Sequence, residues 1–518
     1  MRSTFHSLET SKRALFTQQA ALQTTGHNIA NASTAGYSRQ RVNMQATRPI
    51  EAIGMSHSTI PGQLGTGVEF SSITRIRESF LDSQYRNNSQ DQGKWSIQTD
   101  TLNKLEEIFN EPSETGIRTL VNNYWKSWSD LAQDPENITG RKILRENTLA
   151  LVDAINLSNK QLGDLERDLT DNIGVKANQI NTILDNVSKL NLEITRISAY
   201  GDNPNDLQDQ RDLLVDQLSK IVNITVTDTP EGYDISMGGN ALVTGQTFIP
   251  VDAAGLQGAY GTALTSGEVY GMITSRDSYV RDYQSQLNTF ANSMANGQFT
   301  ITIPAGSVLP DGVTLNGVTY SGASRTLATA LTVPVNGINQ LHTLGYTLEQ
   351  PPTPGVPFFT SSDGGPITAA TIRLNPVIEK SPDAIATSMR TAGTPEQVVP
   401  GNNTLALLMA NIKDTKMNFV SPDGLAPVIG NGTLDDYYRS VIGQLGVQSQ
   451  DAKRQATNQD AIVAQVDSRR QSVSGVSLDE EMSDLIKFQH AYNASARVMT
   501  SVDELLDKVI NGMGVVGR

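Results

Sequence analysis

The chain has 518 residues, a net charge of −14 and no cysteine, and these features exclude several classes of protein. Without cysteine there can be no disulfide, no thiol nucleophile and no cysteine metal site. The acidic balance and the absence of a Lys/Arg-rich run argue against nucleic-acid binding, and no apolar run reaches the roughly 18 residues of a membrane helix. The length suggests roughly three or four globular domains.

The first thirty residues predict one amphipathic helix ending near Ala32. Its stripe recurs at heptad spacing, with two polar interruptions and a glycine, at Phe5, Leu8, Lys12, Leu15, Gln19, Leu22, Gly26 and Ile29. Such a stripe needs a partner helix or a core to cover it. These residues also lack the continuous apolar region of a cleaved signal peptide, so we expect any export to bypass the general secretory route.

The middle of the chain predicts long helices followed by β-structure. Residues 73–109 have helical periodicity, and residues 139–200 keep heptad spacing through a single stutter, which gives a helix of about 90 Å. A shorter helix returns over 207–221. Residues 222–245 have the pattern of β-hairpins, and residues 298–374 carry short strands between long loops.

The C-terminal segment, 477–511, repeats the character of the first helix. Ser477 and Glu480 have the spacing of a capping box, and an apolar stripe follows at Leu478, Met482, Leu485, Gln489, Tyr492, Ala496, Met499, Val502, Leu506 and Val509. One interpretation is that both terminal helices pack on the body as ordinary core helices. The other is that they form a coiled coil that also contacts neighbouring subunits.

These patterns predict a mainly α fold with β-rich parts, in an elongated multidomain protein with a terminal coiled coil, a long helical body and an inserted β-rich domain. We expect a terminal domain at 1–45 and 475–518, a body at 46–297 and 375–474 with a β-hairpin near 222–245, and an insertion at 298–374.

A search for catalytic and metal-binding motifs predicts no enzyme, no cofactor and no metal. The histidines fall in no HExxH or other two-histidine metal spacing, and neither a phosphate-binding glycine loop nor a GxSxG elbow occurs. The acidic loop 201–206 departs from the EF-hand pattern, because its third position is Pro204 and no glycine follows Asp206. We interpret that loop as a turn that starts a helix.

Two motifs resemble the bacterial flagellar rod, hook and hook-associated proteins. The first is GHNIANASTAGYSRQRV over residues 26–42, and the second is LDEEMSDLIKFQHAYNASAR over 478–497, followed by DELL at 503–506. NDLQDQRD at 205–212 agrees with the same family. The stretch 298–374 carries no motif of that family.

The resemblance implies an extracellular structural protein of the flagellum, exported uncleaved by the flagellar type III apparatus with a cytoplasmic chaperone bound near its C-terminus. It would polymerise at the distal end of the hook to form the hook–filament junction needed for filament assembly. Its partners would be other copies of itself, the hook protein and a second junction protein, without nucleic acid or membrane insertion. The paired termini would form the innermost layer.

The predicted assembly interface draws on both ends of the chain. It comprises Phe5, Leu8, Leu15, Leu22, Asn28, Ile29, Asn31, Gly36, Tyr37, Leu478, Met482, Leu485, Tyr492, Met499, Val502, Leu506 and Val509. Two alternatives stay open at this point. The chain could be a hook or rod protein of the same family, or a secreted protein whose inserted domain has an adhesive or enzymatic activity.

Overall fold

The computed structural model of the protein describes residues 5–49, 65–349, 351 and 353–512, and within them the expected mainly helical class is confirmed. The helices are α1 (His6–Asn31), α2 (Ser79–Phe109), α3 (Ile117–Gln133), α4 (Ile138–Ser198), α5 (Asn205–Ile221), α6 (Ala253–Gly258), α7 (Glu268–Thr274), α8 (Arg281–Asn296), α9 (Gly337–Thr343), α10 (Pro376–Lys380), α11 (Thr404–Asn411), α12 (Leu434–Ser474) and α13 (Leu478–Gly512). A π-helical turn, Ser275–Val280, joins α7 to α8.

The strands form several small antiparallel sheets. They are β1 (Gln40–Ala46), β2 (Val68–Arg75), β3 (Thr225–Thr229), β4 (Gly232–Met237), β5 (Asn240–Thr244), β6 (Thr247–Phe248), β7 (Gln298–Ile303), β8 (Val313–Leu315), β9 (Val318–Tyr320), β10 (Leu331–Asn336), β11 (Phe359–Ser361), β12 (Ile372–Leu374), β13 (Thr391–Ala392), β14 (Gln397–Val398), β15 (Met417–Asn418) and β16 (Asn431–Gly432). The larger sheets have the orders β3-β4-β5-β6 and β10-β7-β15-β16, and the remaining strands pair as β1-β2, β8-β9, β11-β12 and β13-β14.

The chain divides into two compact units. Unit 1 consists of residues 1–94, 174–270 and 457–518, and unit 2 consists of residues 95–173 and 271–456. This division follows a different criterion from the domain boundaries expected from the sequence, which stay a prediction. The sheet that contains β7 and β10 also takes in β15 and β16, which follow residue 374.

Most of the predicted long helices occur where the periodicity placed them. The first helix ends at Asn31 with Ala32 as its cap, and the longest runs from Ile138 to Ser198. The expected helical start at residue 73 is wrong. Residues 73–75 belong to β2, where Arg75 lies opposite Gln40 of β1, because pairing with a neighbouring strand satisfies the backbone there.

Unit 2 is centred on aromatic side chains packed around α3. The ring of Trp128, which is fully buried, lies 5.5 Å from that of Phe358, and Phe358 lies 5.1 Å from Phe359. Tyr124 contacts Trp125 with ring centroids 4.8 Å apart. We call these five residues, with His342, the aromatic cluster. It closes the apolar face of α3 within unit 2.

His342 is the one member of the aromatic cluster with a titratable imidazole. Its ring lies 5.3 Å from Phe358, its Nδ1 is 2.5 Å from the carbonyl oxygen of Val356, and its Nε2 accepts a hydrogen bond from the Ala386 N–H at 2.8 Å. Burial lowers the pKa of His342 to about 4, with the nearby Arg141 cation acting in the same direction. The imidazole is therefore held neutral, with both nitrogens used.

Candidate assembly interface

The two terminal helices of unit 1, α1 and α13, pack against each other. They run antiparallel, because Asn28 near the end of α1 donates a hydrogen bond from Nδ2 to Oε2 of Glu481, near the start of α13, at 3.0 Å. We call these two helices the terminal pair. Their pairing brings together the two segments that carry the family-like motifs.

The covered face of α13 follows a regular heptad. Glu481 is only 2% exposed, and half-buried positions continue the same stripe at Leu485, Phe488, Tyr492, Ser495, Met499, Val502 and Leu506. Alternating steps of four and three residues keep one seam of a helix against a partner. This seam is rotated from the predicted stripe, since Glu481 and Phe488 take the places that we expected for Met482 and Gln489.

The most deeply buried positions of α1 are mostly polar, which its apolar stripe did not predict. They are Ser11, Thr17, Ala21, Thr24, Thr25 and Asn28. The hydroxyls of Thr17 and Thr24 donate to the carbonyls of Arg13 and Ala20, one turn earlier, at 2.9 and 3.0 Å. A threonine that bonds to its own helix presents a methyl group outward, so these side chains pack as small apolar groups.

The terminal pair also has exposed apolar side chains, on more than one side of α13, and together we call them its exposed apolar face. They are Phe5, Phe16, Leu478, Met482, Ile486, Val498, Leu505, Val509 and Ile510, each about half exposed or more. Ile486, for example, is 50% exposed and Ile510 is 69% exposed. Single apolar side chains on a surface are ordinary, but a set concentrated on one helix pair is typical of a surface that another protein covers.

The predicted interface residues therefore fall into three groups in the structure. Half-buried within the terminal pair are Leu8, Leu15, Leu22, Ile29, Leu485, Tyr492, Met499, Val502 and Leu506. Exposed on it are Phe5, Leu478, Met482 and Val509. Asn28, Asn31, Gly36 and Tyr37 build a polar junction at the end of α1. Whether any of them contacts a neighbouring subunit stays a prediction.

Asn28 is the centre of that polar junction and is 1% exposed. Its Nδ2 donates to the carbonyl of Gln40 at 2.9 Å as well as to Glu481, and its Oδ1 accepts from the Gln40 N–H at 3.0 Å and from the Tyr37 hydroxyl at 2.8 Å. Both amide hydrogens and both lone pairs are thus used. One side chain joins α1, β1 and α13.

The loop between α1 and β1 is shaped by the other residues of the first motif. Asn31 donates to the carbonyl of His27 at 3.1 Å. Gly36 has φ +80, where a Cβ would lie 3.0 Å from Cβ of Leu213, so glycine suits both its backbone and its contact. Burial first, and then the charge of Asp206, raises the pKa of Tyr37, which keeps its hydroxyl protonated as a donor.

Arg39 joins this loop to the start of α13. Its Nε donates to Glu481 Oε1 and its Nη1 to Glu480 Oε2, both at 2.6 Å, and its Nη2 lies 3.8 Å from Asp484. Burial opposes the charge of Arg39, but the two glutamates offset it and raise the pKa of the guanidinium. The contact also corrects the expected capping box, because Glu480 bonds to Arg39.

Beneath the terminal pair, unit 1 contains a cluster of paired arginines and aspartates. Its members are Arg75, Arg77, Asp82, Arg86, Asp209, Asp212, Asp216 and Arg470. Arg75 Nη1 lies 2.8 Å from Asp209 Oδ1 and 2.7 Å from Asp212 Oδ2. Arg86 Nε lies 2.7 Å from Asp216 Oδ1. We call this set the ionic cluster. It joins β2, α2, α5 and α12.

Asp212 is the central carboxylate of the ionic cluster. Burial would raise its pKa, but the positive charges of Arg77, Arg75 and Arg86 outweigh burial and lower the pKa to about 2. Asp209 extends the cluster to the first motif, because its Oδ2 accepts a hydrogen bond from the Ser38 N–H at 2.9 Å. The ionic cluster therefore anchors the loop that holds the terminal pair.

The sequence carried signals for the residues that our reasoning missed. Asp209, Asp212 and Asp216 lie at steps of three and four on α5, which places all three carboxylates on one helix face. Phe488 lies seven residues after Glu481, in the heptad that the structure uses. The cluster partners Arg75 and Arg77 could not be assigned in advance, since nothing in their local pattern indicates which carboxylates they meet.

The structure also reports on membrane spans and metal sites within the described residues. Of the helices there, none is both long and apolar enough to cross a membrane. No group of three or more potential metal-ligating side chains was found in the part of the chain that the structure covers.

Comparison with known proteins matches the same segments. The family described as "Flagella basal body rod protein" matches residues 8–37, and "Flagellar basal body rod FlgEFG protein C-terminal" matches residues 468–512. These cover most of the terminal pair. "Flagellar hook-associated protein FlgK helical domain" matches residues 102–299.

One curated relative decides the family. The chain is 32% identical over 534 residues to flagellar hook-associated protein 1 of Bacillus subtilis (strain 168), covering 100% of both chains. This chain belongs to the flagellar hook-associated protein 1 family. Flagellar hook-associated protein 1 of Escherichia coli (strain K12) is 26% identical over 555 residues, covering 95% of this chain and 97% of the relative.

A solved structure of the flagellar hook junction protein FlgK from Burkholderia pseudomallei also aligns with this chain. The alignment covers 75% of this chain and 100% of the other, with a TM-score of 0.49 and 15% sequence identity. That likeness is too distant to carry an argument about the site.

Proposed function

We propose that this member of the flagellar hook-associated protein 1 family is a structural subunit of the bacterial flagellum. It polymerises at the distal end of the hook and forms the hook–filament junction needed for filament assembly. It acts by occupying a position in the assembly, and not as an enzyme. Membership of the family supports this function.

The exposed apolar face of the terminal pair is the observation that carries the mechanism. Burying apolar area contributes roughly 25 cal/mol per Å², so side chains such as Met482 and Ile486 would stabilise contact between neighbouring copies. The polar junction around Asn28 and the ionic cluster hold this face in a fixed orientation. Polymerisation then follows from burial, with the seam of the pair formed inside each subunit.

We further propose the partners and the route that the family implies. The subunit contacts other copies of itself, the hook protein and a second junction protein to which the filament is attached. It is exported uncleaved by the flagellar type III apparatus and resides outside the cell, and a cytoplasmic chaperone binds near its C-terminus before export. The apolar seam of α13, from Leu485 to Leu506, is only half-buried against α1, which supports that site for the chaperone.

Deletion of the gene tests this function. We expect cells that carry hooks without filaments and release monomeric flagellin into the medium, because the filament would lack its attachment point. Electron microscopy of the cells and immunoblotting of the medium measure the two outcomes. Cells of the deletion strain with normal filaments would contradict the proposal.

Complementation with point variants tests the proposed face. Ile486→Asp places a charge in the exposed apolar face, where contact with a neighbour would bury it without a partner, and we expect no filaments. Ser483→Asp adds the same charge to the same helix at an exposed polar position and should restore filaments. If both variants restored filaments equally, the exposed apolar face would have no part in the mechanism.

The free monomer tests the role of assembly in ordering the ends. Isolated helices seldom persist in water without a covered face, so we propose that both terminal helices are mobile in the monomer and become rigid on incorporation. Backbone NMR relaxation of the monomer measures this directly. Relaxation showing both helices as rigid as the body would refute the idea.

A further inference from the structure

Asn-Gly dipeptides occur in unit 2 at residues 296–297, 316–317, 336–337 and 431–432. An asparagine followed by glycine is prone to lose ammonia without an enzyme, because glycine has no Cβ to shield its backbone nitrogen from the asparagine side chain. In a folded protein the reaction also requires that the nitrogen and the side-chain amide are free to meet. The structure distinguishes the four sites on this point.

Asn316 and Gly317 form the two-residue loop between β8 and β9. Their φ angles are both positive, 49 and 76, as a type I′ turn requires. Both residues are exposed, and a Cβ added to Gly317 would meet no atom within 4 Å. Within the described residues, neither the Asn316 side chain nor the Gly317 N–H has a hydrogen-bond partner. Both reacting groups are therefore accessible and unbound.

At the other three sites a reacting group is bound or buried. The Gly297 N–H donates to a carbonyl of α8, one turn earlier, at 2.8 Å. Gly337 is buried against α8, where an added Cβ would lie 2.1 Å from a carbonyl oxygen. Asn431 donates from Nδ2 to Oδ1 of Asn418 at 2.8 Å, and Gly432 is buried. These contacts protect the three sites as long as unit 2 is folded.

The hairpin formed by β8 and β9 can open without disturbing the rest of unit 2. Its strands have three residues each and, among the described strands, pair only with each other. Of the six strand residues only Leu315 is buried. A two-stranded hairpin is marginally stable by itself. Opening matters because the cyclic intermediate of ammonia loss needs the backbone of Asn316 to rotate away from the turn conformation.

We propose that Asn316 is a site of spontaneous deamidation, which is a property separate from the proposed function. The Gly317 nitrogen gives its proton to water and bonds to Cγ of Asn316, and the bond from Cγ to Nδ2 breaks. Ammonia leaves, and a succinimide ring remains. Water then opens the ring in one of two ways.

The two ways of opening the ring give different products. Cleavage of the new bond between Cγ and the Gly317 nitrogen gives aspartate, whereas cleavage of the original peptide bond gives isoaspartate, in which the backbone runs through the side chain. Either product adds a carboxylate to the hairpin tip. Isoaspartate also adds one carbon atom to the backbone of the two-residue loop, which no longer matches a type I′ turn.

Incubation of the purified full chain in mildly alkaline buffer tests the proposal. After protease digestion, mass spectrometry follows the conversion of amide to carboxyl in the four Asn-Gly peptides of unit 2. We expect the 316–317 site to convert roughly tenfold faster than the other three, which corresponds to a difference of about 1.4 kcal/mol in opening free energy. A rate at this site no faster than at another of the four would overturn the proposal.

Asn316→Gly is the matched control. Gly-Gly also suits a type I′ turn, so the hairpin is kept while the side-chain amide is removed. We expect no conversion in the peptide that contains residues 316–317 of this variant. Undiminished conversion there would assign the reaction to a different residue and overturn the proposal.

A reversible crosslink tests the opening step. Thr314 and Thr319 lie opposite each other, with their hydroxyl oxygens 2.9 Å apart, so cysteines at these positions are within reach of a disulfide. The chain has no other cysteine. We expect the oxidised Thr314→Cys, Thr319→Cys protein to deamidate roughly tenfold more slowly than its reduced form, because the disulfide restricts the opened hairpin. Equal rates in the two forms would overturn the requirement for opening.

Discussion

Helices α3 and α13 both present an apolar stripe, but only that of α3 is fully buried within its own unit. The stripe of α3 is buried from Ile117 to Ala132 and contains Trp128 with no exposed surface. The seam of α13 is half-buried, and the exposed apolar face remains in water. The difference teaches that an amphipathic pattern reports a need for burial but does not say how completely its own unit meets that need.

The side chains that support α3 and the terminal pair also differ in their chemistry. The aromatic cluster around α3 is mainly apolar, and burial holds its His342 neutral. The terminal pair rests on a polar junction and an ionic cluster in which Asp212 stays ionised. Close apolar packing favours a body that stays folded alone, whereas oriented charges favour a fixed direction for a face that is still to be covered.

The largest expected effect is on assembly. Leu485→Asp places a charge in the seam of the terminal pair, and we expect it to abolish incorporation because the two helices can no longer bury that position together. The unfolding free energy of unit 2 should change by less than about 0.5 kcal/mol. Filament counts measure the first outcome. Urea titration followed by tryptophan fluorescence measures the second, since Trp95, Trp125 and Trp128 all lie in unit 2.

Asn493→Asp is the control for that variant, because it adds a charge to α13 at an exposed position with almost no change in shape. It should assemble normally. Normal motility with Leu485→Asp would show that the seam is not needed.

The next largest effect is expected on the stability of unit 2 and not on assembly. Trp128→Ala should lower the unfolding free energy of unit 2 by about 3–5 kcal/mol, because it leaves a cavity in the aromatic cluster. Urea unfolding followed by the remaining tryptophans measures the loss. Lys126→Ala, at an exposed position of the same helix, should change it by less than about 0.5 kcal/mol. A loss of similar size from both would mean that the cluster is not a closed core.

The stability of unit 2 and that of unit 1 should decline in different ranges of acid pH, and His342 sets the range for unit 2. The pKa of His342 is about 4 in the folded protein and 6.5 ordinarily, so the unfolded state takes up the proton first. Above about pH 6.5 the imidazole therefore costs no stability. As the pH falls towards 4 the unfolding free energy declines, by at most about 3 kcal/mol.

Urea titrations of unit 2 at a series of pH values measure that decline. His342→Asn should flatten the dependence in this window, whereas His490→Gln, at an exposed position, should preserve it. The same slope in the His342→Asn protein would assign the pH dependence to other groups.

The smallest effect belongs to the ionic cluster at lower pH. The pKa of Asp212 is about 2 in the folded protein and 3.8 ordinarily, so its contribution is present above about pH 3.8 and is lost as the pH falls through 2. We expect a loss of roughly 2 kcal/mol in unit 1. An environment-sensitive dye on Gln217→Cys, exposed on α5, reports it. Asp202→Asn should keep this acid transition and Asp212→Asn should remove it.

Sequence reasoning recovered what periodicity and motifs encode. The bounds of α1, α4 and α13, the mainly helical class and the family follow from heptads, caps and two specific segments. The predicted stripe of α13 was rotated from the observed seam, because Met482 and Gln489 fit heptad spacing as well as Glu481 and Phe488 do. A buried glutamate is unexpected until Arg39 is seen beside it, and that contact joins residues more than four hundred positions apart.

The buried threonines of α1 have a consequence for the time before the two ends meet. The hydroxyls of Thr17 and Thr24 bond to carbonyls of the same helix. These two side chains therefore present methyl groups, and not hydroxyls, to their surroundings. Helix α13 instead carries Leu485, Phe488 and Met499 on its seam. Both ends of the chain therefore need a cover before they meet, and α13 needs the larger one, because its seam carries large apolar side chains where α1 has threonine methyl groups.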